Sequence, residues 1–463
     1  MRRLGALDSL FLALESADHP LHTMAVLVLD PATIPDGYDF GRMRAFVASR
    51  LPAIPPLRRR LVGVPFGIGR PSWVEADVEI AKHVHRVQLD RVSLAHVMRF
   101  AAALDEQPLD RSRPLWDMYF VEGLDDGSVA LVAKVHHALM DGVGGMEFMA
   151  NMFSTDPEPA PVVPVVIAPE RMPRPIEMFA RGLPDVAAIP FRATRALIES
   201  ARGLWRSRLA IGRGASIGAP RVRWNDPLSA RRSATITELP LADVKAVAHA
   251  TEATVNDVIL SVLGGACREY LGERNQLPET SLVAAVPVSL HDASVTDYTN
   301  AVSLLFTKIG TDIEEPAARL AAVHEAAINA KRLHEAVGGD TLTSWLAVAG
   351  PLLFSTVSRI YLELGLTAYT PPLVDLLISN VPGPPVALYF GGARLRGLYP
   401  LGPIYDGIGL NVTVVSSADT IGFGFVTCPD VLADVDALAT GVRTAFDALR
   451  AETIPATATS RPA

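Results

Sequence analysis

The sequence predicts an α/β protein with two domains. Its 463 residues are enough for two domains of roughly 200 residues each. Segments with the apolar alternation of strands recur along the chain and are separated by segments with helical periodicity. Hydrophobic residues make up 49% of the chain and charged residues 20%. Both domains can therefore bury a large core.

Composition divides the chain into four parts. We expect a first domain over 1–155 and a second domain over 233–452. Residues 156–232 begin with a stretch rich in proline and valine, which indicates an extended connector, and continue as a basic helical segment. The composition of 453–463 is typical of a disordered tail.

The most informative stretch begins with a predicted buried strand, Val129 to Val135. The strand ends in two adjacent imidazoles, His136 and His137. Imidazole has its pKa nearest neutrality, so it can take the proton of a hydroxyl that must attack a carbonyl at physiological pH. Adjacent histidines are also often structural. These two residues alone therefore leave catalysis open.

An aspartate and a glycine follow the two histidines. Asp141 can orient the histidines or balance their charge. Gly142 allows a backbone conformation, or a close approach, that a Cβ would forbid. Beyond these residues the pattern predicts a helix from Met146 to Phe153.

The string HHALMDG over 136–142 matches the HHxxxDG motif of the acyl-CoA-dependent acyltransferase superfamily. That superfamily includes chloramphenicol acetyltransferase, carnitine acyltransferases and peptide-synthetase condensation domains. Within it, the chain resembles the bacterial wax ester synthase/diacylglycerol acyltransferase family. Among the members of that family, it resembles the mycobacterial-type triacylglycerol synthases. The resemblance runs from about Leu4 to the end of the chain. It includes the FLALE segment at 11–15, the PLW step at 114–116 and the SNVPGP string at 379–384.

The resemblance implies a fold and a reaction. The fold would have two chloramphenicol-acetyltransferase-like domains, each a mixed sheet flanked by helices, with the active site at their interface. The reaction would be O-acylation of diacylglycerol to triacylglycerol, or of a long-chain fatty alcohol to a wax ester. His137 would be the general base for direct attack of the acceptor hydroxyl on the thioester, while His136, Asp141 and Gly142 support the loop. Acyl-CoA would be a co-substrate, with no metal and no resident cofactor required.

The resemblance also implies a second set of residues near the active site. Asn256 and Asp257 match an ND motif of the family, although a polar pair before an apolar run is also typical of a helix cap. Ser379 and Asn380 can hydrogen-bond a carbonyl or a pantetheine amide. We expect all four residues to bind substrate, without a catalytic role.

The partner of Asp141 stays open. Family members have an arginine shortly after the PVS step, and this chain has Leu290 to Asp292 in that place. Arg70 and Arg394 are the alternatives.

Residues 171–232 are strongly basic in an acidic chain. They hold thirteen arginines and four acidic residues, a net charge of +9 against −8 for the whole chain. A helix predicted near 195–209 has tryptophan and leucine on one face and arginine on the other. Such a helix can lie on an anionic bilayer, or pack on the protein and solvate its arginines. Nucleic acid is not expected as a partner, because the chain is acidic overall and has no recognisable binding motif.

Sequence features predict a cytoplasmic protein with peripheral contact to the inner face of the plasma membrane or to lipid droplets. Acidic residues interrupt any signal-peptide core at the N-terminus. The longest apolar run, 342–364, contains a proline and two charged residues, which favours a buried helical pair over a membrane span. Cys267 and Cys428 are expected to be buried free thiols, and no cysteine/histidine cluster has zinc spacing.

Two alternative functions remain. The first is another enzyme of the HHxxxDG superfamily, of the condensation or polyketide-linked type, although this chain shows no attached carrier or adenylation domain. The second is a non-catalytic lipid-surface protein that has kept the fold. The intact HHxxxDG motif favours an enzyme, since a binding protein has no need of both histidines.

Overall fold

The computed structural model describes residues 1–67, 69–139, 142–158, 169–184, 187–188, 191, 194, 218–289, 302–337 and 372–454. Several sequence predictions lie outside these ranges. They concern Asp141, the stretch 290–292, the amphipathic helix near 195–209, the apolar run 342–364, and the tail from residue 455 onward.

Two six-stranded sheets form the scaffold of the molecule. From edge to edge, the first sheet contains β12 (Tyr389–Phe390), β13 (Ala393–Leu401), β2 (His22–Asp30), β7 (Val129–His136), β6 (Trp116–Leu124) and β5 (Val84–Val92). The second contains β10 (Val302–Lys308), β9 (Val283–Ser289), β11 (Leu376–Val381), β14 (Leu410–Ser416), β15 (Thr420–Thr427) and β8 (Ser233–Pro240). A small third sheet contains β1 (Arg2–Arg3), β4 (Ser72–Glu75) and β3 (Arg59–Val62).

Helices pack against these sheets. They are α1 (Ala6–Leu14), α2 (Phe40–Arg50), α3 (Leu94–Asp105), α4 (Gly142–Met152), α5 (175–184), α6 (Leu241–Ala250), α7 (Val255–Glu273), α8 (Pro316–Val337) and α9 (Val435–Thr453).

Both large sheets are mixed, as the sequence predicted. In the first sheet, β5 and β6 are parallel and the other neighbours are antiparallel. In the second, β11 runs parallel to both β9 and β14, and the remaining pairs are antiparallel.

A crossover joins the two halves of the chain. Strand β11 ends at Val381, where Pro382 and Pro384 cannot donate hydrogen bonds to a ladder. The chain then leaves the second sheet and adds β12 and β13 to the first, where Leu401 pairs with Met24 of β2. One edge of the first sheet is therefore made by the second half of the chain.

The central strand β7 is buried along its whole length. Leu131 and Ala133 belong to the core beneath the N-terminal helices, whereas Ala130 and Val132 belong to a core that continues into the second half of the chain. A strand covered on both faces needs apolar residues at consecutive positions. This burial explains the continuous apolar run before the two histidines.

One predicted helix start is wrong. Helix α4 begins at Gly142, not at Met146, because burial of Phe148, Met149 and Met152 stabilises the helix as a whole and outweighs the low helix propensity of its glycines. Helix α1 covers Ala6–Leu14, with Asp8 in its first turn. The Asp8 carboxylate accepts a hydrogen bond from the backbone of Gly5 at 3.2 Å.

Two tryptophans are buried in the core, and both cysteines are buried as the sequence predicted. Trp116 of the PLW step is fully buried, and its indole donates a hydrogen bond to the carbonyl of Leu57 at 2.7 Å. Trp73 is buried in the core. Cys267 and Cys428 are buried free thiols, and burial raises the pKa of Cys267 to about 12.

Among the helices that the structure describes, none is both long enough and apolar enough to cross a bilayer.

Close backbone packing between α7 and the end of β10 predicts a stability difference between two glycines. A Cβ at Gly264 would lie 1.8 Å from the carbonyl oxygen of Ile309, whereas a Cβ at Gly272 of the same helix meets nothing within 4 Å. We expect Gly264→Ala to lower the free energy of unfolding by about 1–3 kcal/mol or more. Gly272→Ala should raise it by roughly 0.5–1 kcal/mol. Urea midpoints of both variants test this, and equal midpoints would contradict the packing.

A buried carboxyl before β11 predicts a pH-dependent stability. Asp375 is fully buried, and burial raises its pKa to about 7, even though Oδ2 accepts a hydrogen bond from Val283 at 2.8 Å. Because this pKa lies above that of the unfolded chain, the carboxyl destabilises the fold increasingly as pH rises from about 4 to 7.

We therefore expect Asp375→Asn, which is neutral at every pH, to be more stable than wild type at pH 8, by up to about 4 kcal/mol. The difference should shrink toward zero near pH 4. Urea unfolding at both pH values measures it, and a difference independent of pH would show that Asp375 is ionised in the folded protein.

Candidate active site

Backbone hydrogen bonds on both sides hold the two motif histidines. His136 is the last residue of β7, and its backbone N–H donates to the carbonyl of Leu115 at 3.0 Å. The backbone N–H of His137 donates in the other direction, to the carbonyl of Leu21 at 2.9 Å. The residues before β6 and β2 therefore fix the position of both imidazoles.

The ring of His136 is enclosed, with a hydrogen bond at Nδ1 and a carboxylate close to Nε2. The side chain is 1% exposed, and Nδ1 accepts a hydrogen bond from the backbone of Ala138 at 3.0 Å. Neutral His136 must then carry its proton on Nε2. Nε2 lies 3.3 Å from Oε1 of Glu15, so the carboxylate faces the proton-bearing nitrogen.

Glu15 is a carboxylate throughout the physiological range. It follows α1 directly, and its Oε2 accepts hydrogen bonds from Arg111 at 2.6 and 3.2 Å. Burial acts to raise its pKa, but the contacts with His136 and Arg111 outweigh burial and lower the pKa to about 2.

More polar groups lie behind Glu15. His22 pairs with His136 across β2 and β7, with its ring nitrogens 3.5 Å from Glu15 and 3.6 Å from Asp105. Burial lowers the pKa of His22, so its neutral form is favoured. Lys134 donates to the carbonyls of Leu104 and Gln107 at the end of α3, and burial lowers its pKa to about 8. We call Glu15, His22, Asp105, Lys134 and His136 the buried polar layer.

His137 has different surroundings from His136. Its side chain is half-buried, and its imidazole ring lies 4.2 Å from the ring of Phe11, tilted by 35°. Of the two adjacent imidazoles, His137 is the more accessible, whereas His136 is closed off by the buried polar layer. His137 is therefore the less enclosed of the two motif histidines.

Helix α4 starts directly after this turn, with Gly142 as its first residue. The N-terminal end of a helix carries a partial positive charge, so it favours negative charge nearby. Asp141 lies outside the described residues, and its partner stays a prediction. Arg394, one alternative, is exposed on β13, where its backbone donates to Thr33 at 2.8 Å.

The second half of the chain holds the segment that positions both histidines. This segment, 15–22, includes Glu15 and Leu21. His19 Nε2 lies 2.8 Å from Oδ1 of Asp406, and Arg232 donates to the carbonyl of Asp18 at 2.8 Å. Contacts between the halves therefore support the geometry of the motif.

The ND motif and the SNVPGP string are in contact. Asn256 Oδ1 accepts a hydrogen bond from Asn380 Nδ2 at 3.2 Å. Ser379 lies one residue earlier on β11, where it pairs with Thr413 of β14. The structure thus brings two sequence motifs of the second half together.

Asp257 is tied into the start of α7. Thr254 is the N-cap, and Asp257 Oδ2 accepts hydrogen bonds from its backbone at 2.9 Å and from its hydroxyl at 2.7 Å. The same oxygen lies 2.8 Å from Nδ1 of His324 on α8. Burial acts to raise the pKa of Asp257, but the His324 and Thr254 contacts lower it. This geometry matches the helix-cap interpretation of the sequence, with Thr254 as the cap.

Sequence reasoning missed most of the buried polar layer as part of the site. Glu15 belongs to the FLALE segment that carried the family resemblance, but it is 121 residues from His136. No local periodicity connects positions so far apart. The signal available was a glutamate at the end of an apolar helix, where a charged side chain needs a partner.

Comparisons with known proteins identify the family of the chain. The family model of the wax ester synthase/diacylglycerol acyltransferase catalytic domain matches residues 4–259. The model of the C-terminal domain of the same family matches residues 298–450. The fold and site therefore define an acyltransferase of the HHxxxDG class.

Individual relatives cover nearly the whole chain. A Mycobacterium tuberculosis protein with the provisional name diacylglycerol O-acyltransferase is 36% identical over 451 residues, covering 95% of this chain and 88% of the relative. The probable diacylglycerol O-acyltransferase tgs2 of the same organism is 34% identical, covering 91% and 92%. The solved wax ester synthase/diacylglycerol acyltransferase of Marinobacter aquaeolei VT8 superposes with a TM-score of 0.69 at 26% identity, covering 97% and 99%.

This chain belongs to the wax ester synthase/diacylglycerol acyltransferase family. It is an acyltransferase, and membership of the family implies acyl-CoA and an acceptor lipid as its substrates. The first condensation domain of the CDA synthetase shares the fold, with a TM-score of 0.57 at 16% identity. That likeness concerns the fold alone.

The contact between Glu15 and His136 predicts a loss of turnover without a loss of binding. Glu15→Gln keeps the size of the side chain but removes the charge that faces Nε2. We expect kcat to fall by at least about tenfold, which corresponds to about 1.4 kcal/mol of lost transition-state stabilisation. KM should stay close to that of wild type. Steady-state CoA release measures both constants. Glu79→Gln, at an exposed glutamate paired with Lys82, is the control. A kcat unchanged in Glu15→Gln would show that this carboxylate does not position the motif.

Proposed function

We propose that the protein transfers the acyl group of a long-chain acyl-CoA to the hydroxyl of diacylglycerol and forms triacylglycerol. A long-chain fatty alcohol is the second acceptor and gives a wax ester. The names of both M. tuberculosis relatives support diacylglycerol as acceptor. The name of the Marinobacter protein supports both products.

The difference between the two histidines supports the mechanism. His136 is enclosed, with its Nδ1 occupied by a backbone N–H and its Nε2 facing Glu15. His137 is half-buried and lies at the same turn. We therefore assign His137 as the general base.

In the proposed reaction, His137 takes the proton of the acceptor hydroxyl as the oxygen attacks the thioester carbonyl. The new C–O bond forms, the C–S bond breaks, and CoA leaves with a proton returned by the imidazolium. His136 and Gly142 support the turn, and Asp141 has the same supporting role. No covalent enzyme intermediate, metal or resident cofactor takes part.

Of the second set of residues, Asn256, Ser379 and Asn380 bind substrate in this proposal, and Asp257 supports them. Asn256 and Asn380 share a hydrogen bond, and each amide keeps further donor and acceptor capacity for a carbonyl or a pantetheine amide. Ser379 directly precedes Asn380 on β11. Asp257 acts indirectly, since its contacts with Thr254 and His324 fix the start of α7.

The acceptor lipids partition into membranes and droplets, so the enzyme must reach them there. We propose peripheral contact with the inner face of the plasma membrane or with lipid droplets, from a cytoplasmic location. The net charge of +9 over residues 171–232 supports attraction to anionic lipid.

Release of CoA from palmitoyl-CoA, with dioleoylglycerol or hexadecanol as acceptor, tests the proposal. We expect acceptor-dependent release by wild type, and a loss of about 10²- to 10⁴-fold in His137→Ala because the base is absent. His96→Ala, at an exposed histidine of α3, is the matched control and should retain wild-type rates. The better acceptor identifies the main product.

Two results would contradict the proposal. Equal rates for wild type and His137→Ala would exclude His137 as the base. Absence of release with every alcohol would favour an acyl-carrier-dependent or a non-catalytic lipid-binding function.

A further inference from the structure

Helix α5 has two apolar faces, and one of them faces solvent. Met178 points inward and is 1% exposed. On the opposite face, Ile176 is 68% exposed and Leu183 is 50% exposed, with exposed Ala180 between them. This spacing places the three residues on one stripe. A helix that is already packed through Met178 has no need of a second apolar stripe for its own stability.

An exposed aromatic residue extends this stripe. Phe66 lies in the turn Pro65–Gly67, which follows β3, and is 83% exposed. Its φ of 58° is in the left-handed region that non-glycine residues rarely adopt. The ring lies 6.5 Å from that of Phe179 on α5, edge to face. The turn and the helix therefore form one continuous surface, which we call the α5 surface.

Positive charge borders the α5 surface. Arg181 of α5 is exposed, and so are Arg174, directly before the helix, and Arg3 of strand β1. Arg181 Nη1 lies 3.7 Å from the sulfur of Met1, so the helix and the N-terminus are neighbours.

Two acidic groups nearby, among the residues that the structure describes, are already paired. Glu177 accepts hydrogen bonds from Arg171 at 2.8 and 2.9 Å. Glu170 is paired with the N-terminal ammonium. The charge that this surface offers to a partner is therefore positive.

We propose that the α5 surface docks the enzyme on an anionic phospholipid bilayer. Phe66, Ile176 and Leu183 enter the interfacial region, while Arg174 and Arg181 extend to the lipid phosphates. A small exposed apolar surface bordered by arginine fits the boundary between headgroups and acyl chains. The inference rests on the proposed function, which requires access to a lipid acceptor, and it names the surface that provides this access.

Sedimentation with vesicles tests the docking surface on the full chain. The vesicles contain phosphatidylcholine with or without phosphatidylglycerol. We expect the triple variant Phe66→Ser/Ile176→Ser/Leu183→Ser to bind phosphatidylglycerol vesicles at least about tenfold more weakly than wild type, because three apolar side chains lose their burial in lipid. Leu373→Ser is the matched control, since Leu373 is also 68% exposed but lies in the second half of the chain. Its binding should equal that of wild type.

A charge variant tests the phosphate contacts separately. Arg174→Gln/Arg181→Gln should reduce the preference for phosphatidylglycerol over phosphatidylcholine, and added salt should weaken binding of wild type more than of this variant. Equal vesicle binding by wild type and the triple variant would overturn the proposal. Light scattering would also overturn it if wild type were a dimer, the triple variant were a monomer, and neither protein bound vesicles. The surface would then join two copies of the chain.

Activity on soluble substrates separates this inference from the proposed function. Hexanoyl-CoA and butanol need no lipid surface. Wild-type CoA release retained in the triple variant, together with lost vesicle binding, supports docking through α5. A different result is also informative: wild type binds vesicles through the α5 surface but transfers no acyl group to any acceptor. That result would refute the proposed function and still support the docking surface.

Discussion

The geometry of the site depends on the contact between the Glu15 carboxylate and the His136 imidazole. The carboxylate faces His136, approaches His22 and accepts hydrogen bonds from Arg111. A buried carboxylate is stable only when such partners replace its lost hydration. The same contacts fix the ring of His136, and His136 ends the strand that presents His137. Loss of the charge would therefore reach the half-buried His137 imidazole through packing and not through direct contact.

The two halves of the chain form one structural unit around this site. Strand β13 comes from the second half yet completes the first sheet beside β2. Asp406 and Arg232, also from the second half, hold the 15–22 segment. The 15–22 segment and the first sheet are therefore both in contact with residues of the second half. The position of the motif depends on this packing between the halves.

Local signals predicted the motif elements well because they reside in neighbouring residues. The apolar run of β7 reflects burial on both faces, and the prolines of the SNVPGP string end β11. The helix start at Gly142 was missed because burial of Phe148, Met149 and Met152 outweighs the low helix propensity of glycine. The contact between Asn256 and Asn380 joins residues 124 positions apart, which local patterns cannot reveal.

The sequence by itself determined the mixed α/β class, the family, and the two adjacent histidines at a strand end, because strand periodicity and a contiguous motif are encoded locally. It did not distinguish the two histidines by their surroundings. Only the tertiary structure enclosed His136 behind Glu15 and left His137 accessible, since burial depends on α1, β2 and the contacts between the halves. The outward stripe of α5 was likewise decided by tertiary packing, because Met178 takes the inward face and leaves Ile176 and Leu183 in solvent.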